Sequence, residues 1–367
     1  MKRRYKILGG VLGFFAVVIG AFALVVSHDS PCPAAPAAPP EPAMNAVQYH
    51  CYGGPEVLKL EQVAKPVPGD DQLLVKVHAA AVNPLDWHYM RGEPYIVRME
   101  TGIGAPASPV MGVDFSGTVE AVGGSVTRFK PGDEVFGGRN GAFAEYVLVR
   151  ESRAVVLKPA NISHQQAAAV PVAGITALQA LRDQGGLEAG QKVLINGASG
   201  GVGTYAVQIA KAMGAEVTGV CSTRNVELVR SLGADHVVDY KSTDYTAGDQ
   251  EYDLIIDNIG NRRLRDNRKV LAPQGVYVIV GAPSDDPWIG ALSGPIRASA
   301  YAPFVDQQLK FFVASMNPED LGYLAGLMQS GKLVSAIDRS YPLAETAQAI
   351  EYLETGRARG KVVITIQ

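Results

Sequence analysis

The residues best placed to do chemistry in this 367-residue chain are the clustered glycines of Lys192-Val-Leu-Ile-Asn-Gly-Ala-Ser-Gly-Gly-Val-Gly203. An apolar run ends there and a helical pattern begins. Backbone N–H groups and the helix dipole would therefore face an anion, and the missing Cβ atoms would let it approach. Aligned with G-x-G-x-x-G, Ala198-Ser199-Gly200-Gly201-Val202-Gly203 carries alanine in place of the first glycine. A dinucleotide site that takes NAD places a carboxylate about 20 residues further on, against the adenosine ribose. Between Val217 and Val226 there is none. Ser222, Thr223 and Arg224 stand there instead, two hydroxyls and a planar cation suited to a 2′-phosphate, so NADPH is the cofactor to expect. The same residues would also cap a helix over Val226–Leu232.

Positioning such a cradle takes a parallel sheet. Beyond Ala169 the pattern is βα: strands are predicted at Val193–Asn196, Glu216–Val220, His236–Asp239, Asp253–Asp257, Val276–Val280 and Leu309–Ala314. Their mostly continuous apolar runs suit strands covered on both faces, and six of them suggest a doubly wound Rossmann sheet. Lys310 makes the sixth the least regular. From Met44 to about Ala169 the chain reads as short strands and turns, with Leu73–Ala80 alternating, Val110–Val122 interrupted by Gly112 and Gly117, and another strand over Ala142–Val149. This predicts a partly closed β-barrel. Helices are expected over Glu319–Gln329 and Ala344–Leu353, and a terminal strand over Lys361–Ile366 that returns to the barrel, leaving a cleft between the halves. The predicted organisation is an α/β fold: 1–43 as an N-terminal segment and linker, 44–169 plus 317–367 as the barrel domain, and 170–316 as the cofactor domain.

A net charge of −3 with 19% charged residues provides no basic field, which argues against a nucleic-acid partner. Cys32, Cys51 and Cys221 are far apart and in no paired spacing, which argues against a disulfide framework and a structural zinc site. Lys2, Arg3, Arg4 and Lys6 precede an uncharged apolar run, Ile7–Val26, followed by a Pro/Ala-rich spacer, Pro31–Pro42. The run is long enough to cross a bilayer, so a single membrane anchor with a non-cytoplasmic globular part is expected, a cleaved signal and secretion being the alternative.

Several stretches in order give the chain a family likeness: Val82-Asn-Pro-Leu-Asp86, Gly112-Val-Asp-Phe-Ser-Gly117, Pro131-Gly-Asp-Glu-Val135, Ala167-Ala-Ala-Val-Pro171 with Gly174-Ile-Thr176, the glycine turn, and Gly360-Lys361. From Met44 to Gln367 the chain resembles a medium-chain dehydrogenase/reductase of the zinc-free quinone oxidoreductase branch. The resemblance implies a GroES-like barrel, a Rossmann domain and hydride transfer between them. Zinc-dependent relatives carry a cysteine at the position of Asn83 and a histidine–glutamate pair at Val113-Asp114, so no metal is expected here. His78, at an alternating strand position, is read as a surface or half-buried histidine, and Asp86 as a turn residue with a backbone hydrogen bond.

The resemblance also implies roles. Asn83 would lie beside the nicotinamide as hydrogen-bond donor, and His88 and Tyr95 fall near positions where relatives carry tyrosines that deliver a proton. Thr176 and Gly281 match positions beside the nicotinamide and its ribose, Tyr240 the adenosine side, and Lys361 a closing contact. Without a Lewis acid the developing oxyanion depends on such donors, which favours quinones, enones and alkenals over alcohols. Tyr89, Tyr95, Met99 and the loop from Trp288 to Tyr301 would line the substrate side. A zinc-free alcohol dehydrogenase and a catalytically silent NADPH-binding protein are the other readings. Phe311-Phe-Val313 is an edge able to pair in a homodimer.

Overall fold

The computed structural model describes residues 17–33, 41–281, 286–288 and 290–366. Six parallel strands form one sheet in the order His236–Asp239, Glu216–Cys221, Lys192–Asn196, Tyr252–Asp257, Leu271–Ile279, Gln308–Phe311. The order reverses between Lys192–Asn196 and Tyr252–Asp257, so the crevice above their carboxyl ends is the place for a ligand. The strands are apolar throughout because both faces are covered: Val193, Leu194, Ile195, Ile255 and Ile256 have no exposed surface. Gln308–Phe311 differs as the edge strand. It stops at Phe311 where the sequence suggested Ala314, and its Lys310 ammonium leaves the sheet to donate to the Gln184 carbonyl at 2.7 Å.

The second sheet has seven strands built on the long Gln72–Val82. This strand pairs antiparallel with Asp114–Val122, Tyr146–Arg150 and the terminal Lys361–Thr365. The strand expected from Val110 begins only at Asp114. Gly112 turns the chain with φ +83°, and a Cβ there would run into the Phe143 ring. The helix Pro318–Gln329 buries Leu321, Leu324 and Met328 in the same core as Ile175, Leu178 and Tyr205, and Gln179 donates to Asp320 at 2.7 Å. Phe136 of the seven-stranded sheet and Ala154, the residue before its strand Val155–Leu157, belong to that core as well.

The N-terminal expectation is corrected. Residues 17–26 are helical, but among the described residues no helix is long and apolar enough to cross a membrane, so the single-helix anchor and the localisation built on it do not stand. Residues 7–16 of the apolar run and 34–40 of the spacer lie outside the described residues. The end of the helix and the short segment after it are docked on the body: Val26 is buried, and the Ser30 N–H donates to the Gly104 carbonyl at 2.7 Å. Cys32 is bonded to Cys51 with Cα atoms 4.9 Å apart, a pairing that 19 residues of separation did not suggest.

Candidate active site

The glycine turn joins the strand Lys192–Asn196 to the helix Gly201–Ala212 at the sheet's reversal point. Its left-handed residue is Gly197, φ +79°, one position before the alanine that the fingerprint alignment had put first. Ala198 follows it into the core and donates its N–H to the Val220 carbonyl at 3.0 Å. Gly203 lets the helix lie against the strand, since a Cβ there would collide with the Gly197 carbonyl and come within 2.8 Å of the Ala198 Cα. Gly200 and Gly201 do something else. A Cβ on either would meet nothing closer than 3.4 Å, an ordinary contact, so packing does not require a glycine at either position. The N–H groups of Gly201, Val202 and Gly203 have no acceptor within their own helix. Ser199 closes the turn from below, its hydroxyl accepting from the Asn225 amide at 2.9 Å and its carbonyl from the Gly360 N–H at 2.9 Å.

At the end of the next strand Ser222 is half-buried, while Thr223 and Arg224 are exposed. The Arg224 guanidinium donates to the Arg357 carbonyl at 2.7 Å. The Thr223 hydroxyl donates to Asp239 at 2.6 Å, which holds that carboxylate below its ordinary range. Asp239 is a carboxylate that no window on the second strand contains. It arrives from the neighbouring strand, with Tyr240 exposed beside it. Thr176, half-buried, spends its hydroxyl on the Val172 carbonyl at 2.7 Å. Gly281 crosses so close to Asn258 that a Cβ would strike its carbonyl oxygen.

Across the crevice lies a buried charged cluster. Asn83 caps the helix Pro84–Arg91, and its own N–H donates to the Asp86 carboxylate at 2.7 Å. Its side-chain amide donates to Asp114 at 2.9 Å and to the Ala81 carbonyl at 3.3 Å, and its amide oxygen accepts from the Lys361 ammonium at 2.5 Å. Lys361 also pairs with Asp114 at 3.5 Å, and Asp114 accepts from the Val172 N–H at 3.0 Å. All four side chains are at most 3% exposed. Burial raises the Asp114 carboxyl, against the pull of Lys361, and lifts Asp86 to about 7. Burial likewise lowers Lys361, against the pull of both carboxylates. The Lys361 side chain passes beneath the glycine turn, its Cδ 3.4 Å from where a Gly201 Cβ would lie. One residue thus spans the two halves.

The proposed proton donors are placed less favourably. His88 stacks on Trp87 with centroids 3.6 Å apart and is bonded through Nδ1 to the Glu93 carbonyl at 2.6 Å. A carbonyl can only accept, so Nδ1 carries the proton and the neutral ring keeps a bare Nε2. Burial lowers the His88 pKa, against the Glu93 contact, which favours the charged ring, so the site disfavours the protonated form that proton delivery needs. Tyr95 is half-buried against Trp288 in an edge contact at 4.7 Å. Tyr89 donates to Glu100 at 3.2 Å and Met99 is exposed.

Comparison with known proteins fits this geometry. Residues 69–160 match the family described as the alcohol dehydrogenase GroES-like domain, and residues 232–364 the family described as zinc-binding dehydrogenase. The chain is 33% identical over 339 residues to a chloroplast envelope quinone oxidoreductase homolog of Arabidopsis thaliana, covering 88% of this chain and 98% of that protein. It belongs to the medium-chain dehydrogenase/reductase superfamily, in its quinone oxidoreductase-like branch. A trans-enoyl reductase of Aspergillus terreus is 36% identical over 81% of this chain and 87% of its own. The structure of the quinone oxidoreductase from Coxiella burnetii superposes with a TM-score of 0.77, at 32% identity over 89% of this chain and all of that one. The chain is thus an NAD(P)H oxidoreductase with a GroES-like domain and a parallel Rossmann sheet.

In this medium-chain reductase the turn fits a dinucleotide, because the helix Gly201–Ala212 presents its unpaired N-terminal N–H groups at the sheet's reversal point. The Asn83–Asp114–Lys361 set fits a metal poorly. It offers one amide oxygen and one carboxylate, both already held by an ammonium, where a catalytic zinc takes three ligands from Cys, His and carboxylate. Sequence reasoning singled out Asn83 and Lys361 but missed Asp114 as their common partner. It also missed Gly197, whose signal was the Asn-Gly pair directly after the strand.

Proposed function

We propose that the protein is an NADPH-dependent reductase of conjugated carbonyl compounds, quinones or enones, that works without a metal. The observation that carries this reading is the Lys361 ammonium, buried where a metal would need the Asn83 and Asp114 oxygens. Bound NADPH would supply the hydride; every other task falls to the chain. Gly200, Gly201, Val202 and Gly203 hold the pyrophosphate, and Ser222, Thr223 and Arg224 face the adenosine ribose and its 2′-phosphate. Lys361 and Asp114 fix the plane of the Asn83 amide. The longer of its two donations, to the Ala81 carbonyl, is the one a substrate oxygen would replace. A single amide donor stabilises a charge delocalised over an enone or quinone far better than a localised alkoxide, which is why conjugated acceptors are preferred. Tyr95 or solvent supplies the proton, because burial disfavours the charged His88 ring.

Asp239 favours a second reading for the cofactor. Its carboxylate beside Thr223 could accept from the free ribose hydroxyls of NADH. The deciding experiment is turnover of a panel of quinones, enones and simple alcohols with each cofactor, repeated in Arg224→Gln and Asp239→Asn. The NADPH reading expects conjugated acceptors to be reduced at least tenfold more efficiently with NADPH, and Arg224→Gln to erase the difference. Equal use of both cofactors, or a preference for alcohols, would refute it.

A further inference from the structure

The densest set of unexplained contacts lies outside the cradle and the Asn83 cluster, around Arg98. This guanidinium is 2% exposed, yet it belongs to the short helix Arg98–Thr101 and lies in sequence between Tyr95 and Met99, which the family likeness implies are on the substrate side. Its Nε donates to the Gly92 carbonyl at 2.9 Å. Everything else polar that it touches comes from the N-terminal segment: the carbonyls of Val26 and His28, each at 3.1 Å, and the Asp29 carboxylate at 2.9 Å. Two rings sandwich it, Tyr52 at 4.5 Å and Tyr95 at 4.6 Å. Tyr52 directly follows Cys51, the buried half of the disulfide to Cys32, and its hydroxyl bonds to Thr101 and to the Gly102 carbonyl at 2.7 and 2.6 Å. Tyr95 packs edge-on against Trp288, and its N–H donates to the Pro287 carbonyl at 2.8 Å. An unbroken line of contacts therefore runs from the disulfide, through Tyr52 and Arg98, to Tyr95 and Trp288, the two rings expected to line the substrate side.

We propose that the Cys32–Cys51 disulfide is a redox clasp that sets the acceptor side of the cleft by holding the segment Val26–Cys32 on Arg98. Cys32 is exposed and open to attack, whereas Cys51 and the third cysteine, Cys221, are buried. A dithiol reductant opens the clasp by thiol–disulfide exchange. Its thiolate attacks Cys32, the bond between the two Sγ atoms breaks, and two electrons and two protons pass to Cys32 and Cys51 as the dithiol closes to its own disulfide. With the covalent tie gone, the segment stays only as long as its contacts to Arg98 and Gly104 hold it. Each departure takes three of the four acceptors away from Arg98 and frees Arg98 to leave the Tyr95 ring. Oxidation restores the wall. Only the kinetic readout rests on the reductase reading.

The test is amide hydrogen exchange on the full chain, oxidised and after excess dithiothreitol, with mass tagging of thiols to confirm that Cys32 and Cys51 open while Cys221 does not react. Exchange at Ser30 and at Tyr95 is expected to accelerate at least tenfold on reduction. Cys32→Ser, a change at the exposed end, is expected to show the fast pattern without reductant. In parallel, KM for the acceptor should change at least threefold on reduction while the NADPH dissociation constant stays the same. Unchanged exchange at both amides would overturn the proposal, and acceleration at Ser30 alone would reduce the bond to a brace for the N-terminus. Failure to turn over any acceptor would sink the reductase reading, and exchange at Tyr95 would still decide the clasp.

Discussion

The two walls of the cleft are built by different means. The cradle wall is local: Gly197 turns, Gly203 lets the helix pack, and Gly200 and Gly201 carry the chain into the helix N-terminus, all within seven residues. The facing wall is assembled from afar, with Asn83, Asp114 and Lys361 drawn from three strands or strand ends and held by charge where their side chains are at most 3% exposed. Damage to the cradle should mainly cost cofactor, because backbone donors remain whatever the side chains do. Damage to the cluster should mainly cost the fold, because a buried charge left alone has no solvent to turn to.

The largest effect tests that contrast directly. Lys361→Met leaves Asp114 buried without its ammonium and should destabilise the protein by about 3–5 kcal/mol, read as a fall in the urea midpoint. A loss under about 1 kcal/mol would mean that the cluster is not held by charge. Next comes the cradle's packing glycine. Gly203→Ala pushes a methyl group into backbone at Gly197 and Ala198 and should cost about 1–3 kcal/mol by the same measurement. Gly201→Ala meets the Lys361 stem at 3.4 Å and the Gly360 carbonyl at 3.7 Å, both ordinary contacts, so stability should hold to within about 0.5 kcal/mol. NADPH affinity, by nicotinamide fluorescence, should nonetheless fall about tenfold as the methyl stiffens and crowds the first turn that would hold the pyrophosphate. If both alanine variants lose stability and affinity alike, the division between packing and cradle glycines is wrong.

These same residues mark what could be read in advance. The cradle, the six strands and the barrel were legible because they rest on short-range pattern: an apolar run, a glycine cluster, a helical period. Asp114 escaped because its meaning depends on Lys361, which lies near the other end of the chain and comes alongside only when the terminal strand pairs with Gln72–Val82. Asp239 escaped for a similar reason, since strand pairing rather than spacing puts it beside Thr223. The N-terminal run misled because hydropathy records what can enter a membrane and says nothing of carbonyls held by Arg98. The Cys32–Cys51 bond likewise closes a loop whose ends no local rule brings together.

A smaller effect sharpens the contrast through pH. Asp86 titrates near 7 in the folded protein against 3.8 for its ordinary carboxyl, because burial disfavours its charge. Between about pH 4 and 7 the folded state therefore keeps a proton that the unfolded chain has lost, and this group's contribution to stability falls as pH rises through that window. Asp86→Asn carries no such proton, and its amide oxygen still accepts from the Asn83 N–H. Urea midpoints of the variant should lack that downward slope. A slope identical to the parent's would place the titration elsewhere. Smallest is Arg224→Gln, at the exposed rim: NADPH affinity should drop by about tenfold or somewhat more, NADH affinity should stay level, and stability should not move.

The most direct measurement of metal-free hydride transfer is NADPH oxidation by a quinone or enone acceptor, followed at 340 nm before and after exhaustive chelation, with metal content determined on the same sample. On the proposed reading, in which the Lys361 ammonium takes the oxygens a metal would need, the rate should be unchanged by chelation and zinc should be far below one per chain. Activity that disappears on chelation and returns with stoichiometric zinc would contradict it.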